Sequence, residues 1–191
     1  MSDDAPTEYY TEERWHNWID RLREERPDPE DEDAARMLFN MQDDTALALV
    51  KIVGAHEDGE LAAEAAVEEI TEVHGVVWDE VPIEDDETAE LIDDIRLSLD
   101  PVFYGAEQYV TSGPVEDATV EGCLRAAAEA ESEEDMDAAL GFAAQAGTLI
   151  FDGKGVDPGL AEELEYGYVT EWINGLNSLE RATSDPEFVE E

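Results

Sequence analysis

Positive charge is scarce in this sequence. Lys51 and Lys154 are its only lysines, the cations total 10, and 53 aspartates and glutamates leave a formal net charge of −43. Nucleic-acid binding works by replacing counterions with clustered cations, and ten basic residues dispersed among these acids form no such patch, so no nucleic-acid partner is expected. Cysteine is scarcer still. Cys123 stands alone, which rules out an intramolecular disulfide and any cysteine-rich zinc site and leaves the thiol the role of a small buried hydrophobe. The longest nearly apolar run, Ala138 to Phe151, is too short to span a bilayer, and the acidic opening MSDDAPTEYY has no basic, apolar secretory signal. A cytoplasmic protein with no membrane partner is the expectation.

Catalytic signatures are missing as well. No Gly-x-Ser-x-Gly elbow occurs. DGKGVD, at Asp152 to Asp157, has neither the spacing nor the Gly-Lys-Ser/Thr ending of a phosphate loop. A calcium loop centred on Gly59 would put Gly54 and Ala65 where ligands are required. With 53 carboxylates, neighbouring acids arise by chance and carry no argument for acid–base chemistry. No cofactor is expected.

What the sequence does have is 42% apolar residues in 191, enough for a core in one domain. Over an expected folded surface of roughly 9,000 Å², the charge amounts to about one net negative per 200 Å² and opposes compaction. Multimolar salt, which shortens the screening length from ~8 Å to ~2 Å, cuts that repulsion roughly threefold. The acids recur through every helical stretch beside retained Leu, Ile, Val and Ala, which fits the solvated surface of a salt-adapted protein better than a concentrated acidic tail.

Apolar spacing predicts an all-α fold, a compact multi-helix bundle of about seven helices with a central helix rich in small residues. The first helix follows Thr11 as N-cap and aligns Trp15, Trp18, Ile19 and Leu22; the turn at Pro27 and Pro29 ends it. A second, from about Asp33 to His56, turns at Asp58-Gly59 into a third, from about Glu60 to Glu80, with Trp78 in its buried stripe, and the two form a hairpin. The fourth begins at Asp86 and is expected to kink or break at Pro101. The fifth carries Val120, Cys123 and Leu124. The sixth starts at Ser132 and is apolar almost all round, and its Gly141 and Gly147 predict a close approach, with the alanines of the fifth helix as neighbours. A seventh follows Asp157-Pro158 and extends through Leu164, Tyr168, Trp172, Ile173, Leu176 and Leu179. Residues 8–183 are expected to form one helical domain between mobile tails at 1–7 and 184–191.

Two aromatic clusters are candidate interaction surfaces for a protein partner or a homodimer: Tyr9, Tyr10, Trp15 and Trp18, and the near-heptad stripe of Tyr168, Trp172, Leu176 and Leu179. Packing into the chain's own core is the competing and favoured role of both. A metal site would draw on Glu13 and His16, the only Glu-x-x-His unit, together with His74. The leading expectation is a protein-interaction or regulatory role without catalysis; the alternative is a metal-binding helical-bundle enzyme or sensor using carboxylate and histidine ligands.

The stretches YYTEERWHNWIDRLREE, DEDAARMLFNMQDD and YVTEWINGLNSLE together resemble an uncharacterised haloarchaeal family of acidic helical proteins of this length. The resemblance spans nearly the whole chain. It implies an acidic, all-helical protein, and it brings no activity, cofactor or site residue with it.

Overall fold

The Thr11 hydroxyl accepts a 3.1 Å hydrogen bond from the Arg14 amide, and the helix it caps, α1, runs Glu12–Glu25. The computed structural model describes residues 9–25, 28 and 30–184. The turn prolines Pro27 and Pro29 lie outside the described residues, as do the expected mobile tails except Ser184. Trp15, Ile19 and Leu22 are fully buried, as i, i+4, i+7 spacing requires of a core-facing stripe. Asp44 receives α1 from the next helix: Trp18 Nε1 donates to its carboxylate at 3.0 Å, and Arg14 grips both of its oxygens.

Helix α2, Glu32–Glu57, starts on Asp31, whose side chain accepts from the Asp33 amide. It ends at Gly59, whose φ of +79° favours a residue without Cβ. His56 Nδ1 donates to the Leu61 carbonyl at 2.9 Å and closes the reversal, which returns the chain as α3, Ala63–Trp78, against α2. Ala66, Ile70, Val73 and Val77 form the buried stripe of α3. Trp78 departs from the expected stripe: it is 40% exposed at the last position of α3, where Arg96, from the following helix, donates to the Val77 and Asp79 carbonyls and lies over one indole face. That guanidinium caps the carbonyl end of α3, where a cation is favoured.

Helix α4, Asp86–Ser112, packs against α1, α2, α3, α6 and α8 and is the hub of the bundle. Of the kink or break expected at Pro101, the break does not occur, and α4 runs on through the proline. The missing amide removes one helical hydrogen bond, and close packing offsets the loss. Pro101 and Gly105 face α6, Met136–Phe151, at a crossing where a Cβ on Gly147 would come within 2.9 Å of the Pro101 carbonyl and 3.3 Å of Gly105 Cα. The close approach expected at Gly147 is therefore made to α4, not to the alanines of α5, Val120–Ser132. Gly141 makes none, since a Cβ there would meet nothing within 4 Å. The sixth helix is flanked by α4, α5 and α8, and only Asp137 and Gly141 of its residues are exposed; with α4 it makes up the middle of the bundle.

Ser132 closes α5 rather than opening α6, and Asp135 caps α6 by accepting from the Ala138 amide at 3.2 Å. The predicted last helix is split in two, α7 at Leu160–Glu163 and α8 at Tyr168–Ser184. The split is held by Glu131 of α5, whose carboxylate accepts from the Tyr168 and Val169 amides at 2.6 and 3.2 Å, an anion on a helix N-terminus. Gly167 lets that carboxylate lie close, since a Cβ there would make it shift. Where α8 crosses α4, a Cβ on Gly175 would collide with the Ser98 carbonyl. Gln42 ties the same place together, donating to Ser98 Oγ at 2.8 Å and accepting from Ser178 Oγ at 3.4 Å. Among the described residues there are eight helices and no strand.

Candidate docking groove and carboxylate–histidine cluster

The two flanks of α3 face different surroundings. One flank, at i, i+7, i+11 spacing, carries Val67, His74 and Trp78 toward α4. The His74 ring meets Phe103 edge-on at 4.9 Å and lies 6.0 Å from Trp78 and 6.4 Å from Tyr104. Burial lowers the His74 pKa, opposed by the nearby Glu107 carboxylate; the neutral ring suits an aromatic neighbourhood. Phe103 is buried, whereas Tyr104 remains 44% exposed.

From Tyr104 the surface continues into a groove of about 490 Å³ between α3, α4 and α6. Val67, Tyr104, Leu140 and Ala144 supply its apolar lining, and Gly141 is exposed in it. Among the described residues, Glu107 on α4 and Asp137 on α6 are its charged lining and no cation joins them. The Thr111 hydroxyl there is committed to carbonyls of its own helix.

The other flank of α3 faces the N-terminal segment. Tyr9, Tyr10, Thr11 and Glu12 close a cleft of about 400 Å³ with Glu69, Glu72, Val73, Gly75, Val76 and Asp79. Of the predicted aromatic cluster, Tyr10 and Trp15 are buried, and Tyr9 and Trp18 are partly covered. The Tyr10 hydroxyl is buried beside Thr45, and its pKa is pushed far above the ordinary phenol range, chiefly by desolvation. Most of this cluster thus anchors α1 to the bundle.

Beside the cleft, Glu12, His16 and Asp79 bring one ligand atom each to within 4.8 Å of one another. The carboxylate partner of His16 is Glu12, four residues before it, at 3.9 Å, and not the predicted Glu13. Residues four apart stand almost one above the other on a helix. His74 lies on the opposite flank of α3 against Phe103 and takes no part. Asp79, just beyond α3, was beyond sequence reasoning because only the packing of α1 on α3 brings it there.

The C-terminal stripe is spent inside the chain. Trp172, Leu176 and Leu179 are buried in the core cluster, and Tyr168, at 50%, is the exposed member. A dimer seam along this stripe would have only that ring to offer. The groove residues Tyr104, Leu140 and Gly141 were missed as a site because the α3–α4–α6 arrangement, not sequence proximity, assembles them. The one signal present in sequence was Gly141, a helix-interior glycine.

The chain is thus an all-helical bundle with an open aromatic groove and an exposed carboxylate–histidine cluster. It belongs to the family described as "Uncharacterized protein conserved in archaea (DUF2150)", which matches residues 8–191. No curated protein and no solved structure matches it. No helix among the described residues is long and apolar enough to cross a membrane.

Proposed function

We propose that the chain is a non-catalytic interaction or regulatory protein of a high-salt, haloarchaeal cytoplasm, folded as one domain over residues 8–183, with the α3/α4/α6 groove as its docking surface for a protein. The observation that carries this reading is the groove itself: Tyr104 stands 44% exposed in it beside Val67, Leu140 and Ala144, and the exposed Trp78 lies beyond the intervening His74 ring. Aromatics concentrated in a concave apolar surface are the usual anchors of protein association. The net charge of −43 argues against nucleic acid as the partner.

A photoreactive residue at position 104 tests the reading in cells of multimolar internal salt. It should cross-link to a discrete protein, whereas the same residue at the exposed Tyr166 position should not. No adduct at 104, or equal adducts at both positions, would remove the groove from consideration.

A second reading rests on Glu12, His16 and Asp79. A borderline divalent metal such as zinc accepts imidazole and carboxylate together, and a metal here would pin α1 to the end of α3, as in a metal sensor. Calorimetric titration with zinc should then give one equivalent bound, abolished in His16→Ala; no uptake by the wild-type chain would exclude it.

A further inference from the structure

The nature of the partner can be taken further, on the footing that the groove is a docking surface. Gly141 is the first observation. It sits within α6, is exposed, and a Cβ on it would meet nothing within 4 Å. Gly105, Gly147 and Gly175 each have an internal reason, a helix crossing too close for a Cβ. Gly141 has none, and neither have Gly54 and Gly75, although glycine weakens a helix relative to alanine; of the three, Gly141 is the one that lines this groove. What it leaves open is a backbone-deep gap on the groove wall, between Leu140 and Ala144, suited to close approach from outside.

The walls indicate the shape of the occupant. All three are helices whose interior backbone groups are already paired, so an incoming strand would find no ladder to join and would bury unsatisfied amides. A helix satisfies its own backbone and presents a side-chain face. The molecule already packs helices in this way, with Gly105 against Gly147 where α4 crosses α6.

Charge decides between a second copy and another protein. Glu107 and Asp137 enter the groove from α4 and α6, and among the described residues its lining has no cation. A second copy would bring a surface as acidic as this one, and at the short range that survives multimolar salt, carboxylates facing Glu107 and Asp137 would be unfavourable. We propose that the groove takes an α-helix from a different protein, with a small residue seated on Gly141 and a Lys or Arg on its flank reaching Glu107 and Asp137.

The test is a selection of displayed helical peptides, randomised on one face and its flanks, against the full-length chain in multimolar KCl. Binders are compared on the wild type, Gly141→Leu, and a Glu107→Gln/Asp137→Asn double variant, each first shown to be helical and cooperatively melting. The expected result is enrichment of helices with a small residue and flanking Lys or Arg, whose affinity falls at least about tenfold with Gly141→Leu and about threefold or more with the double variant. Helices that depend on Gly141 but carry no cations, or ignore the double variant, would overturn the cationic-partner assignment and leave the docking reading standing. If no selected helix is weakened by Gly141→Leu, both fall.

Discussion

Asp100 is half-buried in α4, between Leu99 and Pro101, and burial lifts its carboxyl from the usual 3.8 to about 6. Because the folded value is the higher one, the fold favours the protonated acid. Its stabilising contribution is complete below about pH 4 and is lost as pH rises through 6. The shift corresponds to at most about 3 kcal/mol, and the solvent still reaching the group reduces this to about 1 kcal/mol. Asp100→Asn should therefore raise stability by about 1 kcal/mol at pH 8 and leave it unchanged near pH 3.5, read from denaturant curves at the two pH values; an equal effect at both would mean that burial is not the cause. At this scale the sequence was informative about caps and uninformative about acids. Thr11 announced itself as a helix start, but nothing among 53 carboxylates distinguished Asp100, Glu131 or the Glu12 that stands where Glu13 was expected. Their differences come from tertiary neighbours.

Helices were legible where a repeating apolar face met a capping residue, as in α1 after Thr11. They were misread where a crossing overrides local propensity. Pro101 argues locally for a break, yet α4 continues because Gly105 and Gly147 let α6 press against that turn. The sequence from Asp157 onward argues for one helix, yet a carboxylate from α5 restarts it at Tyr168. Helix-interior glycines separate the two kinds of position. Gly175→Ala should cost several kcal/mol, since its Cβ would collide with the Ser98 backbone and neither helix can yield cheaply. Gly141→Ala should instead stabilise by up to about 1 kcal/mol, the ordinary helix-propensity gain. Thermal melts of the two variants provide the check, and similar destabilisation in both would mean that the crossing geometry is wrong.

Across the whole molecule, 43 net negative charges are spread over 10963 Å² of accessible surface, roughly one per 250 Å². Most are solvated, while Asp44, Glu131 and Glu180 instead hold elements together, Glu180 by accepting from the Val156 amide at 3.0 Å. The melting temperature should rise by about 10 °C or more between 0.1 M and 3 M KCl as screening relieves the self-repulsion; a flat response would separate the charge from any salt adaptation. The same acidity that was plain in the sequence hid the groove, because its recognition depends on where three helices leave an apolar strip uncovered. The most direct measurement of that claim is co-purification of the full-length chain with its partner in multimolar KCl, wild type against Gly141→Leu, with melting temperatures taken in parallel. The account predicts that Gly141→Leu melts no lower than the wild type yet loses the partner; a folded Gly141→Leu that retains the same partner would contradict it.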